Sequence, residues 1–180
     1  MVYVFLADGF EEIEALTPVD ILRRGGVNVV TVGVGGKTVT SSHKITVAAD
    51  IADSELTELE GAEGVILPGG MPGTLNLKAS QDVRDAIQYC FDNGKLIAAI
   101  CAAPSIFGCM GLLEGKKVTS FPGFENELRG AEYTGAHVET DGNVITAKGA
   151  GCALSFGRAI VAFALSENEA DKVLSDMQCF

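Results

Sequence analysis

Cys101 stands where a buried run ends and a helix begins, and a thiol at such a place can be reactive. Lys95-Leu96-Ile97-Ala98-Ala99-Ile100 reads as a buried strand, and Ala102-Ala103-Pro104-Ser105-Ile106-Phe107 as a helix start. Pro104 suits a first helical turn, where its missing N–H has no intrahelical partner. A nucleophile on a sharp strand-to-helix turn needs small residues two positions before and after it. Ala99 and Ala103 fill those positions. A helix N-terminus favours negative charge on the sulfur. The spacing therefore predicts a thiolate more accessible than that of a free cysteine, whose pKa is about 8.5. The competing expectation is an inert core cysteine, because free cysteines are among the most buried residues.

Glu11, Glu12 and Glu14 follow the first apolar run. Carboxylates are favoured in a first helical turn, which accounts for Glu11 and Glu12. Glu14 is different, because Pro18 cannot donate to its carbonyl and the helix should be irregular there. Thr17-Pro18-Val19-Asp20 even reads as a fresh helix start. A carboxylate on such a kink can turn sideways into a site. Pro68-Gly69-Gly70 is either a plain tight turn or a backbone N–H aimed at an oxyanion, with the Ala102 N–H as second donor. Losing one such donor costs about 10²–10³ in rate. Gly33-Val34-Gly35-Gly36 lacks the third glycine and the helix of a dinucleotide loop. His43 and His137 read as surface or structural residues, since nothing places either beside Cys101. Cys90, Cys109 and Cys152 read as packing residues, and Cys179 as an exposed thiol.

These groups need a scaffold. Val2-Tyr3-Val4-Phe5-Leu6, residues 27–32, Gly64-Val65-Ile66-Leu67 and residues 96–100 read as strands, with shorter ones at 117–119 and 143–146. Val83, Ala86, Ile87 and Cys90 have the spacing of one helical face, begun by Ser80 and ended by Asn93-Gly94. Residues 153–165 and 167–177 read as helices. Continuous apolar strands alternating with helices imply a mainly parallel sheet covered on both faces. A Thr- and Ser-rich hairpin is expected over residues 37–47, and a turn at Asp141-Gly142. In such sheets the ligand site lies at the carboxyl ends of the strands. The acidic turn at 8–14, the glycine turn at 68–73 and Cys101 all fall there.

Composition narrows the function further. The 180 residues suit one domain over 1–180, and 47% hydrophobic residues can fill its core. Thirteen basic against 24 acidic residues give a net charge of −11, which repels phosphate backbones and disfavours nucleic acid. No apolar run approaches the ~18 residues of a membrane span, and Met1 to Leu6 is too short for a signal peptide. A cytoplasmic protein is expected. Five cysteines without a CxxC pair argue against a disulfide framework and a zinc site.

Ala7-Asp8-Gly9-Phe10-Glu11-Glu12-Ile13-Glu14, Pro18-Val19-Asp20, Arg23-Arg24-Gly25-Gly26, Leu67-Pro68-Gly69-Gly70 and Ala98-Ala99-Ile100-Cys101-Ala102-Ala103-Pro104 together resemble the DJ-1/PfpI/ThiJ superfamily over nearly the whole chain. The resemblance implies a flavodoxin-like three-layer α/β sandwich, a homodimer and no cofactor or metal. It implies that Cys101 is the oxidisable catalytic cysteine, that Glu14 bonds its sulfur, and that Gly70 and Ala102 supply backbone N–H groups. Gly69 and His43 follow as second-tier candidates, with His43 where some relatives carry a basic site residue. Protease-like members place histidine directly after the cysteine; Ala102 stands there instead, which disfavours a peptidase. The Parkinson-disease-associated subgroup often has a site histidine where this chain has Phe121.

The implied activity is cofactor-independent conversion of reactive 2-oxoaldehydes to 2-hydroxy acids, of the glyoxalase or deglycase kind. The alternative is an oxidative-stress sensor or chaperone that uses the same oxidisable cysteine. A nucleotide-binding flavodoxin-like module finds no phosphate loop to support it.

Overall fold

The computed structural model describes residues 1–179. Its centre is a seven-stranded sheet in the order β10-β11-β7-β6-β1-β2-β5. These strands are β1 (Val2–Leu6), β2 (Val29–Gly33), β5 (Ile51–Ala52), β6 (Gly64–Leu67), β7 (Leu96–Ile100), β10 (Val138–Asp141) and β11 (Val144–Ala147). β10 pairs antiparallel with β11 at the edge, and the other pairs in this sheet are parallel. The expected hairpin forms from β3 (Thr38–Thr40) and β4 (Thr46–Ala48). A short parallel pair joins β8 (Lys117–Val118) to β9 (Glu132–Tyr133).

Strand alternation divides the apolar residues between two cores. Val2, Val4, Leu6, Leu96, Ala98 and Ile100 face one cluster. There they meet α1 (Glu12–Arg24), α5 (Ala153–Ala164) and α6 (Glu167–Asp176). Tyr3, Phe5, Ile97 and Ala99 face the other. That side carries α2 (Gly73–Ala79), α3 (Gln81–Asp92) and α4 (Pro104–Cys109). The result is the expected three-layer α/β sandwich with a mainly parallel sheet.

Three expectations change in the structure. α1 does not break at Pro18, but runs through it as one helix. An interior proline costs about 3 kcal/mol. Ile21 and Leu22 are fully buried on the same helix and contribute about 1.5–3 kcal/mol each, so packing wins. α5 settles against this segment at Gly157, where a Cβ would lie 2.7 Å from Ile21 Cδ1. β2 begins at Val29, later than the apolar run suggests. Cys109 ends α4 exposed rather than packed, whereas Cys90 and Cys152 are buried as expected.

Candidate active site

The carboxyl ends of β1, β6 and β7 meet where the sheet order changes direction, the usual ligand position in this architecture. β1 leads through residues 7–11 into α1. Helical spacing then puts Glu14 on the buried stripe with Pro18, Ile21 and Leu22, with no kink required. Glu14 is 1% exposed. Glu11 caps the helix by accepting the Glu14 N–H at 2.7 Å, which fixes the first turn. β6 leads into Gly69, whose N–H donates to Glu14 Oε2 at 2.9 Å.

Gly69 shows how tightly these groups converge. A Cβ built on it would lie 2.6 Å from Cys101 Cβ, 2.7 Å from Glu14 Oε2 and 3.1 Å from Cys101 Sγ. Only a residue without a side chain lets the thiol and the carboxyl meet. Gly70 is constrained separately. Its φ of +92° favours glycine, and a Cβ there would lie 2.5 Å from the Glu11 nitrogen and the Gly9 oxygen.

Cys101 itself has a φ of +65°, a left-handed conformation that strains a side-chain-bearing residue. Neighbouring segments hold it there. Its N–H donates to Ala147 O at 2.9 Å, and its carbonyl accepts the Phe121 N–H at 2.8 Å. Backbone strain persists when surrounding bonds over-determine it, and such residues cluster at functional sites.

The sulfur accepts hydrogen bonds from the Ala102 and Gly70 N–H groups and bonds the Glu14 side chain. Burial, above all, pushes the Glu14 carboxyl up to about 7, opposed by bonds from Cys101, Gly69 N–H and Ala150 N–H. Burial and then the Glu14 charge push the Cys101 thiol up to about 12. The sequence-based expectation of a freely accessible thiolate is therefore corrected. Helix-end stabilisation does not overcome desolvation and a neighbouring carboxylate. The two groups titrate as one pair, because two anions in contact and out of water are strongly disfavoured. Between about 7 and about 12 the pair holds one proton, which the sulfur carries and donates to the carboxylate.

A site segment missed in the sequence is the loop at 148–152. Ala150 N–H reaches the Glu14 carboxyl, and Gly149 lies against both Glu14 and the Phe121 ring. The signal was present: Gly149-Ala150-Gly151 follows the carboxyl end of β11, the strand beside β7.

The DJ-1/PfpI family model matches residues 1–163. A Parkinson disease protein 7 homolog from Danio rerio is 36% identical over 162 residues, covering 88% of this chain and 86% of that one. A deglycase from Pyrococcus abyssi is 29% identical over 149 residues, covering 82% of this chain and 89% of that one. The solved structure of oxidised Toxoplasma gondii DJ-1 superposes with a TM-score of 0.91 at 31% identity, over 98% of this chain and 97% of that one.

The chain belongs to the DJ-1/PfpI family.

In this DJ-1/PfpI member the second-tier residues separate. Phe121 is tied to Cys101 through its backbone and is 48% exposed as a residue. His43 lies on the β3–β4 hairpin and is not among the groups that bond the sulfur, with Nδ1 3.0 Å from Glu12 Oε1 and its side chain 68% exposed. Glu11, Glu12 and His43 bring one ligand atom each within 4.8 Å of the others. Glu11 is engaged as a helix cap and His43 pairs with Glu12, so each already has a role within the protein. His137 precedes β10, and its carbonyl accepts the Lys148 N–H at 3.0 Å. Among the described residues, no helix is long and apolar enough to cross a membrane.

Proposed function

We propose that this chain is a cofactor-independent enzyme that converts reactive 2-oxoaldehydes to 2-hydroxy acids, with glycated thiols and amines entering the same cycle. The observation that carries the reading is the contact of Cys101 Sγ with the Glu14 side chain, flanked by the Gly70 and Ala102 N–H groups. Catalytic groups need pKa values near the operating pH, and Glu14 at about 7 meets that need.

In the proposed reaction the Cys101 sulfur attacks the aldehyde carbon while its proton passes to the Glu14 carboxylate. Glu14 hands that proton to the aldehyde oxygen, which gives a hemithioacetal and leaves Glu14 a carboxylate again. Glu14 then removes the proton from the former aldehyde carbon and returns it to the neighbouring carbon, while the hydroxyl proton passes to the neighbouring oxygen. The product of that transfer is a 2-hydroxy thioester. Water cleaves the C–S bond, releasing the 2-hydroxy acid and restoring the thiol. No net oxidation occurs. The Gly70 and Ala102 N–H groups stabilise charge on the sulfur and on the adjacent oxygen. Family membership and the deglycase relative support the class of reaction.

The experiment is direct assay of lactate formed from methylglyoxal. Wild type is expected to produce it, and Cys101→Ser to reduce the rate to background. Equal rates in the two proteins contradict the reading.

A second reading uses the same sulfur as an oxidant sensor. It is favoured by the only partial burial of Cys101 and by the oxidised Toxoplasma relative. Peroxide would convert the thiol to sulfenic and then sulfinic acid, with Glu14 and the two amides bonding the added oxygens. Intact-mass analysis after mild peroxide should place the oxygens on Cys101 before the exposed Cys179. Oxidation of Cys179 first rules this reading out.

The chain is further proposed to act as a homodimer. Ile13 and Leu16 lie one helical turn apart on the outer face of α1, 52% and 39% exposed, where a monomer would leave them in water.

A further inference from the structure

Beside Glu14 opens a cleft of ≈ 460 Å³, lined by Phe121, Pro122, Lys148, Ala150 and Cys152 around Gly149. Its size falls within the range of small-molecule sites, about 300–1,000 Å³. Its rim is mostly apolar. Lys148 turns its Nζ toward Gly135 O, at 3.3 Å. Phe121 is an exposed large apolar residue, an aromatic side chain left wet at the mouth.

The walls of the cleft adjoin the reacting groups. Phe121 N–H bonds the Cys101 carbonyl at 2.8 Å. Gly149 bridges the remaining gap: a Cβ on it would lie 3.3 Å from Phe121 Cδ2 and 4.0 Å from Glu14 Oε1. The apolar wall and its aromatic face thus stand one residue, Gly149, away from the Glu14 carboxyl.

We propose that this cleft is a substituent subsite, which receives the apolar, preferentially aryl, group on the oxo carbon of the substrate. The proposal rests on the reading of Cys101 as the nucleophile. A methyl substituent would leave most of the cleft to water, whereas a phenyl group reaches the Phe121 ring and displaces that water. A second cleft, of ≈ 230 Å³ beside Asp8, Thr40 and Ser42, is the polar alternative for such a group. The exposed Phe121 ring favours the apolar route, since an aromatic pair gains affinity beyond its buried area.

Two measurements on wild type, Phe121→Ala and Phe121→Leu test this. The first is the ratio of kcat/KM for phenylglyoxal to that for methylglyoxal, each corrected for its reactivity with a free thiol. The wild-type ratio should be about tenfold in favour of phenylglyoxal, should collapse in Phe121→Ala, and should be partly kept in Phe121→Leu. The second needs no turnover. Cys101 is alkylated with iodoacetamide or its N-benzyl analogue, and the modified peptide is followed by mass spectrometry. The benzyl reagent should be favoured about tenfold over its ratio with a free thiol, again losing that advantage in Phe121→Ala. If neither glyoxal is turned over but the alkylation ratio behaves as stated, the proposed reaction fails and the subsite stands. If the alkylation ratio equals that of a free thiol in wild type and Phe121→Ala alike, the subsite is overturned.

Discussion

A thiol and a carboxyl that share one proton behave differently from either alone. At Glu14 the controlling fact is 1% exposure, which disfavours the carboxylate until about 7. Glu14→Gln keeps the shape and an acceptor for Gly69 N–H but cannot carry a proton between carbons. Its kcat/KM for methylglyoxal should fall by about 10²–10⁴, the range for losing a positioned acid–base group. In wild type the same parameter should rise as pH increases through about 7, because the carboxylate is the form that accepts the thiol proton. Gly69→Ala is a sharper geometric test. A new Cβ would sit 2.6 Å from Cys101 Cβ, so the pair must separate. Activity should drop at least about tenfold with the fold intact by circular dichroism. Of these residues, Cys101 was legible from its turn and Glu14 from its place ahead of Pro18. The kink expected at Pro18 does not form, so it is not what places Glu14. Glu14 is buried because an unbroken helix turns that face inward.

At the scale of elements, the turn after β7 carries strain that its neighbours hold in place. Cys101 has a φ of +65°, and its N–H and carbonyl are tied to Ala147 and Phe121. Replacing it by alanine removes the sulfur but keeps the strained side chain, whereas glycine relieves it. Cys101→Gly should therefore be more stable than Cys101→Ala by about 1 kcal/mol, against the usual order, as read by urea unfolding. Contact between α1 and α5 depends on Gly157, where even one added carbon would lie 2.7 Å from Ile21 Cδ1. Gly157→Val should cost about 1–3 kcal/mol by forcing the helices apart. Elements with a clear apolar period were legible in the sequence: β1, β6, β7 and α3 stand where the residues placed them. α2 was not, because Gly73–Ala79 is short and carries Asn and Lys between its two leucines. The role of the 148–152 loop is not legible, because Gly149, Ala150 and Gly151 carry no side-chain chemistry of their own. Their role is to bring an N–H and an open wall beside Glu14.

For the molecule as a whole, the buried site affects stability. The Glu14 proton is held up to about 7 in the folded chain but is lost near 4.5 in the unfolded one. The favourable contribution is therefore complete below about 4.5 and disappears as pH rises through about 7, a change of about 3 kcal/mol. Urea unfolding of wild type should show that decline over this window, and Glu14→Gln should not. The surface bears a second prediction. Sedimentation velocity should find a dimer, and Ile13→Glu with Leu16→Glu should shift it to monomer while the fold persists. Sequence patterning reached the three-layer architecture because alternation along each strand and helical spacing agreed. It could not reach the ionisation of the site, which depends on how completely three loops exclude water from two side chains.

The coupling of Glu14 to Cys101 is tested most directly by the rate of Cys101 alkylation with iodoacetamide as a function of pH, measured peptide by peptide. The pair's first proton leaves the Glu14 carboxyl at about 7, and the resulting charge helps hold the thiol protonated up to about 12. Wild type should stay slow through the free-thiol range and rise only well above it, and Glu14→Gln should bring the rise to lower pH. A wild-type profile centred near the free-thiol value of about 8.5, unchanged in Glu14→Gln, would show two independent groups and contradict the account.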